Sequence, residues 1–222
     1  MKLKKKEVLE KWNLNLRPET TDLNTFLEND YEVCNYKSTD NWLDVGGNVG
    51  SFGLKYYPLV NTIVSVEADE DNCNYMKQNY ELNNVPNIVS IRAAVVGDNS
   101  DTIDFYPCSP KSPSMNSPLP IKGRIAVTVP AINIDKLIHD FKINKIKMDI
   151  EGGEWDVLLG IQDWTPIQEI IFEYHKSFLK DKDDSKAEHI LNILRENGFD
   201  TINLKPLNFY GQHRLTIIHA CK

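Results

Sequence analysis

The chain has 222 residues, of which 41% are hydrophobic and 26% are charged. This length fits one large domain, and this composition excludes a disordered chain. Acidic residues outnumber basic residues by 32 to 25, which gives a net charge of −7 and argues against a protein that binds nucleic acid through phosphate contacts. No apolar run approaches the ~20 residues that a membrane-spanning helix needs.

The spacing of the cysteines indicates in which cellular compartment the protein is expected. The four of them lie far apart and form no C-x-x-C pair: Cys34, Cys73, Cys108 and Cys221. This spacing does not support a zinc site or a redox motif, and no apolar stretch follows the lysine-rich N-terminus as it would in a secretory signal. We therefore expect a reduced protein of the cytoplasm, with most cysteines acting as small apolar residues.

The first 40 residues are predicted to form a helical cap segment. A short amphipathic helix over residues 1–11 precedes a polar, mixed stretch that ends at residue 40. From residue 41 the pattern changes to strands that alternate with helices. We predict strands at 41–45, 62–68 and 88–96, and helices at 51–57 and 70–82. This alternation implies right-handed crossovers and a parallel sheet.

A proline-rich loop, residues 107–124, interrupts the alternation, because no helix or central strand tolerates so many prolines. We interpret it as a surface loop and a candidate lid. A further strand at 102–106 precedes it. After the loop we predict an extended stretch at 125–129. The predicted helices there lie at 134–141 and 185–197, with a further helix that begins at 154. The predicted strands lie at 145–150, 169–174, 201–204 and 214–220. The last two strands are expected to pair antiparallel at the sheet edge. Residues 41–222 are thus predicted as a three-layer α/β/α sandwich with about seven strands.

A glycine turn, Asp44-Val45-Gly46-Gly47-Asn48-Val49-Gly50, follows the first of these strands, where open α/β sheets bind ligands. Its glycines do not fall in the register of the dinucleotide fingerprint. Asp44 would also repel a pyrophosphate but would favour a cationic ligand. S-adenosylmethionine, which carries a sulfonium and no phosphate, fits this pattern better than NAD does.

The second feature of the cofactor pattern is Glu67, which ends the next predicted strand 21 residues after Gly46. A carboxylate at this strand tip can accept two hydrogen bonds from a ribose diol. NAD would use the same carboxylate, so Glu67 alone does not distinguish the two cofactors.

The sequence resembles the FkbM-type methyltransferases over residues 41 to about 175. The matching motifs are DVGGNVG at 44–50, VSVEADEDN at 64–72, NYELNN at 79–84, KMDIEGGEWDVLLG at 147–160 and FEYH at 172–175. Gly47 and Ala68 depart from the residues common in the family, both in turns where the backbone makes the contacts. The resemblance implies a seven-stranded Rossmann-like class I methyltransferase fold and S-adenosylmethionine-dependent O-methylation.

The resemblance also implies the cofactor-binding residues. Asp44, Gly46, Asn48 and Gly50 would line the methionine and ribose, and Glu67 would bind the ribose. Ala93 and Ala94 would border the adenine. Gly47, Ala68 and Asp149 complete the expected cofactor set.

The candidate catalytic residues lie at the ends of two predicted strands. Asp149 and Glu151 follow an otherwise apolar strand, and His175 ends the next one on the same sheet edge. Methyl transfer to a weakly acidic hydroxyl benefits from a group that accepts its proton. His175, Asp149 or Glu151 could be that base, and Asp149 with Glu173 could instead hold a divalent cation. The sequence leaves these alternatives open.

Residues 149–152 read Asp-Ile-Glu-Gly where methyltransferases of exocyclic amines carry an Asn/Asp-Pro-Pro-aromatic motif, which argues against an amine target.

The predicted function is O-methylation of a hydroxyl on a sugar or glycan, with a small-molecule or carbohydrate acceptor and no nucleic-acid partner. The N-terminal segment and the proline-rich loop are expected to build the acceptor site. O-methylation of a small natural product, or a cofactor-binding module without turnover, are the alternatives. The sequence makes no prediction of the oligomeric state.

Overall fold

The computed structural model describes residues 4–109, 111–176, 185–209 and 212–222, and the side chains of all of these except 207–209 and 212–215. Residues 1–3 of the expected N-terminal segment and Pro110 of the proline-rich loop therefore lie outside the described residues. The α-helices are Lys5–Lys11 (α1), Asp22–Leu27 (α2), Ser51–Tyr56 (α3), Glu70–Leu82 (α4), Ile134–Asp140 (α5), Glu154–Gly160 (α6) and Ser185–Glu196 (α7). The strands are Asn41–Val45 (β1), Thr62–Glu67 (β2), Ile88–Arg92 (β3), Ala94–Val96 (β4), Thr102–Phe105 (β5), Val127–Asn133 (β6), Lys145–Met148 (β7), Glu169–Tyr174 (β8), Thr201–Phe209 (β9) and Gln212–Cys221 (β10).

The main sheet has seven strands in the order β3-β2-β1-β7-β8-β10-β9. The pairs from β3 to β8 are parallel, and β10 runs antiparallel to both β8 and β9. This is the Rossmann-like arrangement of class I methyltransferases, so the predicted fold class and the antiparallel pair at the edge are confirmed. The chain moves outward on one side of β1 and then crosses to β7 on the other, which opens a crevice at the carboxyl end of β1.

One predicted strand, residues 88–96, is wrong as a single element. It divides at Ala93, whose N–H donates to the carbonyl of Glu67 at 3.1 Å. β3 pairs with β2 in the main sheet, whereas β4 joins a separate three-stranded sheet in the order β4-β6-β5. The break is needed because one straight strand cannot follow β2 and β6 in two different sheets. β9 and β10 also extend further than predicted.

The N-terminal segment packs on the helical layer through buried Val8, Trp12 and Phe26, which share a core cluster with Val49 and Met76. The centre of the main sheet is covered by a larger apolar cluster on its other side. Among the described residues, no helix has the length and apolar character to cross a bilayer.

Hydrogen bonds hold the proline-rich loop against the body of the protein. The side chain of Asn72 donates to the carbonyl of Pro113 at 3.1 Å, and the hydroxyl of buried Ser117 donates to the carbonyl of Glu151 at 2.7 Å. Tyr106 forms an isolated antiparallel bridge with Ser117. These contacts place the described part of the loop over the crevice beside β1.

Candidate active site

The glycine turn wraps closely around the end of the neighbouring strand. Gly46 and Gly50 adopt left-handed backbone conformations with φ of +82° and +91°, which glycine allows without steric cost. A Cβ atom on Gly46 would lie 2.0 Å from the carbonyl oxygen of Asp149. The N–H groups of Gly46 and Gly47 both donate to the carbonyl of Val66, at 2.9 and 3.0 Å. The turn is therefore fixed between β2 and β7.

A cleft lies beside this turn, at the carboxyl end of the parallel strands where open α/β sheets bind ligands. Eight of the predicted site residues line it: Gly46, Asn48, Glu67, Ala68, Ala93, Ala94, Asp149 and Glu151. The proline-rich loop contributes Pro113, Ser114, Asn116 and Pro118 to the opposite wall. The remaining predicted residues, Asp44, Gly47, Gly50 and His175, are not on the cleft surface.

The expectation that Asp44 faces a cationic ligand is corrected by the structure. Its side chain is wholly buried and pairs with the Nζ of Lys147 at 2.8 Å, while the hydroxyl of Ser65 donates to it at 3.0 Å. Lys147 also donates to the carbonyl of Gly46 at 2.8 Å. The carboxylate of Asp44 is thus neutralised inside the protein and supports the turn from behind.

Gly47 and Gly50 likewise contact the protein interior. A Cβ atom on Gly47 would lie 2.5 Å from the sulfur of Met76, and one on Gly50 would lie 2.8 Å from the ring of Tyr80. These two glycines allow the turn to pack against α4, and the cleft itself is bordered by Gly46 and Asn48.

Glu67 is buried at the end of β2, but both of its carboxylate oxygens are directed by backbone donors. It accepts the N–H of Asn48 at 2.8 Å on Oε2 and the N–H of Asp69 at 2.9 Å on Oε1. Burial raises the pKa of Glu67 to about 7, although the two N–H donors act in the opposite direction. Each oxygen keeps a further lone pair, so Glu67 can still accept two hydrogen bonds from a diol in the cleft.

At the carboxyl end of β7 and β8, His175 lies beside the carboxylates of Asp149, Glu151 and Glu154, a group that we call the acidic edge. Its Nδ1 lies 2.8 Å from Oε1 of buried Glu154, and its Nε2 lies 3.3 Å from Oε2 of Glu151 and 3.9 Å from Oδ1 of Asp149. Ligand atoms of Asp149, Glu151 and His175 all fall within 4.8 Å of one another. The predicted meeting of the two strand ends is therefore seen in the structure.

The ionisable groups of the acidic edge shift one another's pKa values. Burial alone would lower the pKa of His175, but Glu154, Glu151 and Asp149 outweigh it and raise the pKa well above its ordinary value. Burial raises the pKa of Glu151 and of Asp149, and nearby cations only partly offset this. We take His175 to hold its proton at neutral pH, because three carboxylates surround the imidazole ring and favour its charged form.

Sequence reasoning missed two residues that organise the site. Glu154 begins α6, and its buried carboxylate binds His175 and accepts the N–H of Gly152 at 3.1 Å. Lys147 was overlooked, although a lysine inside an apolar strand needs a buried partner. That signal was available in the segment Ile146 to Asp149.

Comparison with known proteins identifies the family of the chain. The model of the Methyltransferase FkbM domain matches residues 44–201, well over half of the chain. The chain belongs to the FkbM methyltransferase family. It is accordingly a methyltransferase that depends on S-adenosylmethionine, and the predicted family, enzyme class and use of S-adenosylmethionine are confirmed.

Individual relatives are distant. The chain is 26% identical to Methyltransferase 1 of Beauveria bassiana over 177 residues, which is 67% of this chain and 70% of that protein. Its fold resembles the crystal structure of Methyltransferase FkbM from Methylobacillus flagellatus KT, with a TM-score of 0.55 and 16% identity over 98% of this chain and 50% of that one. The precorrin-6y C5,15-methyltransferase of Geobacter metallireducens GS-15 gives a TM-score of 0.52 at 9% identity, over 96% of this chain and 95% of that one.

Proposed function

We propose that this FkbM methyltransferase methylates a hydroxyl oxygen, and that its acceptor is a sugar or glycan. The observation that carries the proposal is the cluster of Asp149, Glu151 and His175 at the carboxyl edge of the sheet, next to the cofactor cleft. A sugar hydroxyl is a weak acid, so a proton acceptor placed at the reacting oxygen lowers the barrier. The segment Asp149 to Gly152 lacks the Asn/Asp-Pro-Pro-aromatic motif of amine methyltransferases, which favours an oxygen target.

The residues of the cleft fit S-adenosylmethionine. Glu67 retains acceptor capacity for the ribose diol, and the buried Oδ1 of Asn48 has no hydrogen-bond partner within the protein. We assign Gly46, Asn48 and Asp149 to the methionine side and Ala68 and Ala93 to the adenine side. The cofactor supplies a methyl group that its sulfonium has already activated.

Asp44, Gly47, Gly50 and Ala94 belong to the same site as supporting residues. Asp44 holds the turn through Lys147, and the two glycines allow it to pack on α4. Ala94 lines the cleft beside Ala93.

The geometry favours a carboxylate rather than a neutral histidine as the base. Because His175 carries its proton, the acceptor hydroxyl would lose its proton to the ionised carboxylate of Asp149 or Glu151. Burial raises the pKa of both, to about 8 for Glu151, so the fraction of enzyme with an ionised base should increase with pH. The Nε2 of His175 lies 3.3 Å from Glu151, close enough to stabilise the charged carboxylate before the transfer. Glu154 holds the imidazole in place from the other side.

A divalent cation at Asp149, Glu151 and His175 is the second candidate for stabilising the developing oxygen charge. The ligand atoms are close enough to share one ion, and carboxylate oxygens suit Mg²⁺ or Mn²⁺. His175 would have to release its proton before it could coordinate the ion. Removal of metal by EDTA distinguishes the two mechanisms.

We further propose that residues 1–40 form a cap segment on a methyltransferase domain at 41–222, and that this segment and the proline-rich loop build the acceptor site. Tyr31 lies at this border, where its hydroxyl approaches Glu173 at 3.4 Å. We place the enzyme in the cytoplasm, and the net charge of −7 favours an acceptor other than nucleic acid.

The test is methyl transfer from S-adenosylmethionine to free sugars, oligosaccharides and small phenols, followed by mass spectrometry with and without EDTA. A methylated sugar product that Asp149→Asn or His175→Asn abolishes supports the proposal. A product among the phenols alone would favour a small natural product as acceptor. Binding of S-adenosylhomocysteine without turnover on any acceptor would favour a cofactor-binding module.

A further inference from the structure

A second polar cluster lies at the opposite edge of the main sheet, away from the cofactor cleft. Ligand atoms of Cys34, Glu169 and His219 all lie within 4.8 Å of one another. Glu169 begins β8, whereas the acidic edge lies just beyond the other end of that strand, so the two clusters are separate. Cys34 and Glu169 are buried, and the side chain of His219 is only 12% exposed.

The sheet register places a further sulfur, that of Cys221, beside this cluster. Cys221 pairs directly with Glu169 across the β8–β10 ladder, and His219 shares its face because side chains two residues apart on a strand point the same way. The sulfur of Cys221 lies 3.4 Å from Nε2 of His219, and Oε1 of Glu169 lies 2.8 Å from the same nitrogen. Both cysteines are free thiols.

We propose that Cys34, Cys221, His219 and Glu169 form a binding site for a thiophilic divalent cation, of which Zn²⁺ is the best match. Two sulfurs, an imidazole nitrogen and a carboxylate oxygen are zinc ligands. With the usual zinc bond lengths, tetrahedral ligand atoms lie roughly 3.2–3.8 Å apart. The distances from Nε2 of His219 to Glu169 and to Cys221, 2.8 and 3.4 Å, are close to these values. Cys221 lies outside the group of ligand atoms that are all within 4.8 Å of one another, so its sulfur must move inward when the ion binds.

The charges around the cluster are compatible with a cation. Burial and the carboxylate of Glu169 raise the pKa of both thiols, so the ion must displace two protons to solvent. Two thiolates and the carboxylate of Glu169 would then face the ion. Lys145 lies 2.7 Å from the other oxygen of Glu169 and 2.9 Å from Asp40. Lys145 also forms an ion pair with Asp40, so only part of its positive charge is directed at Glu169. It would contact Glu169 without contacting the ion, and would hold that carboxylate in place.

The site would connect the N-terminal segment to the sheet. Cys34 belongs to that segment, and the next residue, Asn35, donates its N–H to Glu169 at 3.0 Å. Because the bound ion would join Cys34 to strands β8 and β10, it is expected to raise the melting temperature. Sequence spacing could not reveal this site, since the four ligands come from three separate parts of the chain.

The experiment uses the full-length, reduced and EDTA-stripped protein and titrates it with Co²⁺ and then with Zn²⁺. The wild type is expected to bind one Co²⁺ with a thiolate-to-cobalt charge-transfer band, which one equivalent of Zn²⁺ abolishes. Cys34→Ser and Cys221→Ser should each weaken the band and lower the affinity by more than the ~10–100-fold typical of outer-shell changes. Cys73→Ser is the matched control, because Cys73 is buried in a different core cluster.

Absence of the charge-transfer band in the wild type, or a band of wild-type intensity and unchanged cobalt affinity in both ligand variants, would overturn the proposal. The band requires a thiolate, so an ion at Asp149, Glu151 and His175 cannot mimic it. Folding of each variant is checked by circular dichroism. If Cys34→Ser does not fold, Cys221→Ser, which changes the penultimate residue of the chain, carries the test.

Discussion

The Nδ1 atom of His175 lies 2.8 Å from Oε1 of Glu154, a carboxylate that is completely excluded from solvent. This contact fixes which nitrogen of the ring points back into the protein and leaves Nε2 facing Glu151 and Asp149. Glu154 is thus a positioning residue that acts through His175.

Replacing Glu154 with glutamine is expected to lower kcat by about 100-fold or more, since positioned proton transfer contributes on that scale. The amide keeps the shape of the side chain but loses the charge that stabilises the imidazolium. The pKa of His175, followed by NMR, should fall toward its ordinary value, while the affinity for S-adenosylhomocysteine stays unchanged.

Asp140→Asn is the control for this variant, because Asp140 pairs with His139 at 3.3 Å on the exposed surface. It should leave both kcat and the pKa of His175 unaltered. An unchanged titration of His175 in Glu154→Gln would show that the buried pair does not set its charge.

Much of this architecture could be predicted from the sequence. Strand–helix alternation identified the parallel sheet, and the glycine turn with Glu67 indicated where a cleft lies. Contacts between distant segments could not be predicted in the same way. The partner of Asp44 is Lys147, more than 100 residues away, and pattern reasoning placed the carboxylate against the ligand instead. The break at Ala93 was missed because β3 and β4 form one continuous run of strand-forming residues.

The buried pair of Asp44 and Lys147 leads to a prediction of stability. Lys147→Met would leave Asp44 charged, buried and without its partner, and breaking such a pair costs about 3–5 kcal/mol. Urea unfolding should show this loss as a lower midpoint. Lys136→Met is the comparison, because Lys136 pairs with Asp140 on the surface at 2.7 Å, where ion pairs contribute at most about 1 kcal/mol. Equal losses in the two variants would refute the assigned role of Lys147.

Glu67 is expected to make cofactor affinity depend on pH. Burial raises the pKa of Glu67 to about 7, whereas the unfolded chain carries the lower ordinary value. Between those values the folded protein holds the extra proton, so this group lowers stability as pH rises. The ribose hydroxyls of the cofactor donate hydrogen bonds to the ionised carboxylate. Cofactor affinity should therefore increase as the pH rises through neutral, whereas the contribution of Glu67 to stability decreases. Below the pKa the affinity should fall by up to ~10-fold per pH unit.

Calorimetry with S-adenosylhomocysteine across this pH range measures the effect. Glu67→Gln should bind more weakly and without the pH dependence. Glu70→Gln should behave like the wild type, because Glu70 is an exposed residue that pairs with Arg92. If the wild type and Glu67→Gln follow the same pH curve, Glu67 is not the ribose ligand.

Two glycines with left-handed backbone conformations allow the cost of backbone strain in a glycine-to-alanine substitution to be measured separately from the cost of a steric clash. Gly46 and Gly123 have nearly the same φ, +82° and +86°, but a Cβ atom on Gly46 would lie 2.0 Å from the carbonyl of Asp149, whereas one on Gly123 would meet nothing within 4 Å. Gly123→Ala should therefore cost only the roughly 1–2 kcal/mol of a left-handed alanine. Gly46→Ala should cost more, because the turn must also move away from β7. Urea unfolding measures the difference, and S-adenosylhomocysteine binding should be lost in Gly46→Ala alone. Similar stability in the two variants, with binding intact in both, would mean that the approach of Gly46 to Asp149 does not shape the cofactor site.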